Sequence, residues 1–180
     1  MQVISDTATN FATAINDEII HNLDDLNKLN IIVTGKGNAG KTHLIDILLG
    51  ERSDNNETTS IITRTNNRCH YEITEIPGFD VNEQQTARRK KAIFDRIEKG
   101  AKKNDLKSKV HCIWYCIQCE NKRISSGEID FIKNITNEST TKNVPVIIII
   151  TQAFDRRSSR NMINDIRGKS LNIVDVIPLL

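Results

Sequence analysis

The sequence predicts an α/β fold in three layers, a mostly parallel sheet flanked by helices, with one antiparallel edge strand. Two observations carry this. From Ile31 onward, short apolar runs alternate with amphipathic stretches, as strands and helices do in a parallel sheet. The run VPVIIIIT (144–151) has no polar alternation, as expected where helices cover both faces of a strand. SIITRT and RCHYEITEI, separated by Asn66-Asn67, read instead as a hairpin, which supplies the antiparallel edge.

The elements follow in order. Residues 8–29 read as an amphipathic helix, because Phe11, Ile15, Ile19, Leu23 and Leu26 recur at helical spacing. It cannot bury that stripe alone, so it is expected to be an accessory to the domain formed by 30–180. IIVTG (31–35) is a strand. Lys41 to Leu49 is a helix with Leu44, Ile45 and Leu48 on its apolar side and Gly50 as its stop. Glu51 to Thr59 is a loop, and the hairpin follows. Gln84 to Lys99 is a charged helix, and VHCIWYCIQ (110–118) a strand. Ser125 and Glu128 form a capping box ahead of Ile129, Ile132 and Ile135. Asp155 to Arg167 is a helix stopped by Gly168, and NIVDVIPLL is the last strand.

Composition narrows the function classes. The 180 residues suffice for one core, and the net charge of +2 is too small to argue for nucleic acid or an anionic membrane, so no nucleic-acid partner is expected. No run reaches membrane-span length, and the first residues lack the pattern of a secretory signal. A reducing, cytoplasmic compartment is therefore expected. Cys112 and Cys116 would share one strand face as buried thiols. With Cys69 and Cys119 they offer no CxxC pair matched by a second pair or by spaced His, so inert core cysteines outweigh a zinc site.

One motif carries chemistry directly. GKGNAGKT matches G-x-x-x-x-G-K-[ST] between a strand and a helix. A loop of backbone N–H groups opening a helix can surround a polyphosphate. Gly35, Gly37 and Gly40 let the backbone approach and turn. Lys36, Asn38, Ala39 and His43 complete the lining, Lys41 would reach the β- and γ-phosphates, and Thr42 would hold Mg²⁺ through its hydroxyl.

With this loop, the chain from about Asn30 to Leu180 resembles a P-loop GTPase of the translation-factor class, nearest to Era-like and septin-like G domains. The resemblance implies binding of GTP and GDP, Mg²⁺, and hydrolysis of GTP as a molecular switch. EIPGF matches the family's Asp-Thr-Pro-Gly; by resemblance Glu75 replaces the metal-orienting acid, and the Gly78 amide meets the γ-phosphate. TQAFD matches Asn-Lys-x-Asp; Asp155 would accept from guanine, while Thr151 and Gln152 replace the Asn and Lys. Thr63 is the best match to the switch threonine that closes on Mg²⁺, with Thr59 its rival.

Phe79 stands where some GTPases place a water-orienting glutamine. Catalytic help must then come from a homodimer mate, an activating protein, or K⁺ bound through Asn38, as in potassium-dependent relatives of this pattern; otherwise Asn38 only shapes the loop. Two alternatives stay open: a nucleotide-binding scaffold with little hydrolysis, and an ATP-using P-loop enzyme. Arg88-Arg89-Lys90-Lys91 and Arg123 read as solvated surface. A G domain normally continues beyond the strand that reaches Leu180, so a fragment, or an N-terminal helix covering that face, is expected.

Overall fold

A computed structural model of the chain describes residues 28–52, 60–66, 69–79, 83–103, 106–119, 123–141, 143–153 and 155–179. The expected helix over 8–29 lies outside them up to residue 27; Lys28 is in no helix, and Leu29 already belongs to the first strand.

Six strands form one sheet: β1 (Leu29–Gly35), β2 (Ile62–Thr65), β3 (Tyr71–Glu75), β4 (Cys112–Gln118), β5 (Val146–Thr151) and β6 (Asp175–Pro178). Their order is β2-β3-β1-β4-β5-β6. All neighbours run parallel except β2, which lies antiparallel to β3 at the edge, as the hairpin signal predicts. Four helices flank the sheet: α1 (Lys41–Leu49), α2 (Glu83–Lys102), α3 (Ser126–Thr141) and α4 (Arg156–Arg167).

The two faces bury different helices. Leu44, Ile45, Leu48 and Leu49 of α1 pack on Ile31, Val33, Ile73, Trp114 and Cys116. On the other face, Ile93 and Ile97 of α2, Phe131, Ile132 and Ile135 of α3, and Met162 and Ile166 of α4 pack on Ile32, Ile113, Tyr115, Ile148 and Ile150. Period-2 alternation along each strand sends one set of branched side chains to each side. Cys112 and Cys116 do share the α1 face, and burial pushes both thiols up to about 12. They are therefore protonated, unreactive core groups at neutral pH.

The topology positions the site. From β1 the chain turns outward to β3 on one side, then crosses to β4 on the other. The carboxyl end of β1 is thus a topological switch point, where open α/β sheets bind ligands. Here Gly35, at φ 145°, passes so close to β4 that a Cβ would collide with the Cys116 carbonyl oxygen. Only glycine tolerates both conditions.

The opposite end of β1 is fixed by polar contacts. Buried Asn30 donates from Nδ2 to the Lys107 and Lys109 carbonyls at 2.6 and 2.8 Å. Its backbone N–H donates to His111 Nδ1 at 2.9 Å. Nδ1 must be unprotonated to accept, and burial lowers the His111 pKa below its ordinary 6.5. An unfolded imidazole binds its proton more readily, so this contribution is complete above about pH 6.5 and fades as pH falls through the folded value. Denaturant titrations of wild type should show stability declining from pH 7 to 5, and His111→Asn should flatten that decline; an equal slope in both proteins would remove His111 as its source.

Candidate functional site

The loop from Gly35 to Thr42 leaves β1 and opens α1. Asn38 and Gly40 both adopt left-handed conformations, at φ 58° and 70°, which turn the chain tightly into the helix. No side chain caps α1 at Gly40, and a helix start of this kind suits an anionic acceptor. Lys41 is 6% exposed, and its Nζ donates to the Lys36 carbonyl at 2.6 Å. Burial pushes its ammonium pKa down, while nearby Glu75 acts to hold it up. A buried cation resting on a neutral carbonyl gains from exchange for an anionic oxygen, because charge-assisted bonds are roughly twice as strong as neutral ones.

The segment after β3 closes against this loop. The Phe79 carbonyl accepts from the Gly37 N–H at 3.4 Å, and Lys36 and Phe79 form a parallel bridge. Gly78 lies so near that a Cβ there would stand 2.6 Å from Gly37 Cα and N. Glu75, 1% exposed, accepts from the Thr42 hydroxyl at 2.7 Å. Thr42, Glu75, Gly78 and Lys41 thus converge at one strand-to-helix junction. A hydroxyl and a carboxylate side by side are hard oxygen donors, which suit Mg²⁺ completed by water and phosphate. Phe79 itself is buried and stacks on Phe131, with centroids 4.3 Å apart, so its ring belongs to the core.

Thr63 does not join this group. It pairs with Thr74 in the β2–β3 register, and the two hydroxyls lie 3.1 Å apart. Thr74 precedes Glu75, so alternation places Thr63 and Glu75 on opposite sheet faces. Its rival Thr59 lies outside the described residues. His43 sits exposed on α1.

The carboxyl end of β5 supports the loop from the other side. Thr151 is buried; its hydroxyl donates to the Ala39 carbonyl at 2.9 Å, and its Cβ would lie 3.2 Å from a Cβ at Gly40. Thr151 therefore braces the phosphate loop. Gln152, in a left-handed conformation at φ 54°, accepts from Gln118 Nε2 at 2.6 Å. Asp155 caps α4: Oδ1 accepts from the Arg157 and Ser158 amides, both at 2.8 Å, and Oδ2 from the Ser158 hydroxyl at 2.6 Å. These bonds, the Ser158 hydroxyl foremost, hold its exposed carboxyl below the usual range, so it stays ionised. Each carboxylate oxygen has two acceptor sites, so capping leaves some free.

Two features go beyond the sequence reading. The loop's Lys36 points to α3, where Nζ meets Glu128 Oε2 at 2.9 Å and Ser125 Oγ at 3.0 Å. The basic run on α2 is not uniformly solvated: Arg88 and Lys91 are exposed, but Arg89 and Lys90 are half-buried. Arg89 Nε is buried without a hydrogen-bond partner, and its charge is among those acting on Lys41. The packing of α2 through Ile93 and Ile97 turns that side inward, which a run of four adjacent bases could not reveal.

Comparison with known proteins agrees with this geometry. The fold is similar to a probable GTP-binding protein, engB, at 18% identity and a TM-score of 0.57, covering 83% of this chain and 87% of that one. It is similar to Toc33 from Arabidopsis thaliana, in complex with GDP and Mg²⁺, at 16% identity and a TM-score of 0.59, covering 100% and 83%. Cdc11 from Saccharomyces cerevisiae matches at 17% identity and a TM-score of 0.53, covering 81% and 65%. At such identities the likeness concerns the fold. No curated protein sequence matches. A family model described as "50S ribosome-binding GTPase" matches residues 30–152, from β1 through Gln152, which is more than half of the chain. The phosphate loop, the Glu75–Gly78 segment and Thr151 all fall within it, and the chain belongs to that family of P-loop GTPases.

Proposed function

We propose that this chain binds GTP and GDP and hydrolyses GTP slowly as a molecular switch of the Era-like kind. The observation that supports it most is the meeting of Lys41, Thr42, Glu75 and Gly78 at an uncapped helix start. In this reading the α1 amides and Lys41 take the β- and γ-phosphates, with Lys41 exchanging the Lys36 carbonyl for phosphate oxygen. The Thr42 hydroxyl and Glu75, the latter through water, hold Mg²⁺, which neutralises charge on the transferred group. Gly78 lies against Gly37, and in this reading its amide meets the terminal phosphate while Asp155 accepts from the guanine edge.

Phe79 explains why the reaction would be slow. Its ring is in the core and holds no water, so the chain relies on positioning and charge. An arginine finger at the phosphates is worth roughly 10³–10⁵ in rate among GTPases, and a bound K⁺ would take its place. Asn38 lies in the loop where K⁺ would bind, and a second copy or an activating protein is the other source. A scaffold with little turnover is the second reading, favoured by the same buried Phe79.

Two experiments test this. Single-turnover phosphate release from GTP should be faster in K⁺ than in Na⁺; equal rates would remove Asn38 from catalysis, and no release with any cation or at any protein concentration would leave only the scaffold. Asp155→Asn should keep the fold, because Asn caps helices as well as Asp does. It should weaken GTP by about 10- to 150-fold, the worth of a hydrogen bond to a charged group, and improve xanthosine triphosphate. Unchanged GTP affinity in this variant would mean that Asp155 is only a cap.

A further inference from the structure

We propose that Lys36, Glu128 and Ser125 form a positioning device that sets the phosphate loop from α3. This rests on the reading of Gly35–Thr42 as a polyphosphate site and adds two residues outside every motif of that site. Lys36 does two things at once. Its main chain carries the loop: the carbonyl accepts from Lys41 Nζ at 2.6 Å and from the Ala39 N–H at 3.4 Å, and its backbone bridges Phe79. Its side chain leaves the loop and is anchored on α3 by Glu128 and Ser125.

The anchor is itself rigid. Glu128 is 3% exposed; its Oε2 also accepts from the Ser125 hydroxyl at 2.8 Å and the Ser125 N–H at 3.3 Å. The Glu128 N–H returns a bond to Ser125 Oγ at 3.4 Å, which completes the capping box. Ser125 and Glu128 are thus fixed by the start of α3 before Lys36 arrives.

Electrostatics gives the pair its consequence. A buried carboxylate beneath a loop that takes up polyphosphate would oppose the ligand. Lys36 is the cation that meets Glu128, with its side chain 27% exposed against 4% for the carboxylate. A partly buried pair is screened little, so removal of one partner leaves a charge that water cannot compensate. Loss of Lys36 should therefore harm the site in two ways: it frees the carbonyl that holds Lys41, and it uncovers Glu128. Neutralising Glu128 as well should undo the second effect.

The test is a double-mutant cycle on GDP and GTP affinity, with circular dichroism establishing that each variant is folded at the temperature of measurement. Lys36→Met should weaken both nucleotides by about tenfold, the scale of coupling between neighbouring charged groups. Lys36→Met/Glu128→Gln should recover part of that loss, and Lys36→Arg should stay near wild type. A pair that only braces the fold would lower the unfolding temperature of Lys36→Met and leave the affinity of the folded protein unchanged; that result overturns the proposal, as does a double variant no better than Lys36→Met. If Lys36→Met does not fold, Glu128→Asp decides: it keeps both charges but shortens the reach by one methylene, and should weaken nucleotide several-fold, whereas wild-type affinity overturns the pair. A wild-type chain that binds neither nucleotide overturns the phosphate-loop reading and the pair together, and so is distinct from failure of the pair alone.

Discussion

The near contact of Gly35 with the Cys116 carbonyl governs the rest of the molecule. β1 is central in the sheet, and its last residue must pass β4 with no side chain and a positive φ. That passage lets the chain turn at once through Asn38 and Gly40 into α1, with the first turn of the helix at the sheet's switch point. Burial of Leu44, Ile45 and Leu48 on one sheet face then fixes the helix direction. The backbone of Gly78 can press on Gly37 because Gly78 lacks a Cβ. The segments after β1 and β3 and the end of β5 thereby meet at one point, the last through the Thr151 hydroxyl on the Ala39 carbonyl.

Under the proposed function, the charges at this junction suit a polyanionic ligand. Lys41 is buried against a neutral carbonyl, Arg89 approaches with an unsatisfied Nε, and α1 begins without a cap. Each of these is costly in isolation, and each is relieved by a bound polyanion. The Thr42–Glu75 contact offers hard oxygens for the accompanying cation. Strain and unmet polar groups collect at such sites because function, more than stability, selects the residues there.

The sheet, its antiparallel edge and the helices were legible wherever the signal was local. Lys41 to Leu49 is helical over the residues expected, because the apolar stripe, the phosphate-loop spacing and Gly50 agree. The capping box of Ser125 and Glu128 is likewise an i, i+3 signal. Thr63 shows the limit. Its role depends on the register of an edge strand, and one residue of register moves a hydroxyl to the other face. The partner of Lys36 lies 92 positions away, and no local pattern marks it. Arg89 looked like its three basic neighbours until the packing of α2 separated them. Asp155 was readable as either a helix cap or a base acceptor, and its cap is the part of that ambiguity visible in the fold.

Titration of the chain with GTP, GDP and ATP, each with and without Mg²⁺, decides whether the junction of β1 and α1 is a polyphosphate nest. A nest there gives saturable binding of GTP and GDP, GTP tightened by Mg²⁺, ATP weaker than both, and all binding abolished by Lys41→Ala. Binding that survives Lys41→Ala, or a wild-type protein to which none of the three nucleotides binds, would contradict it.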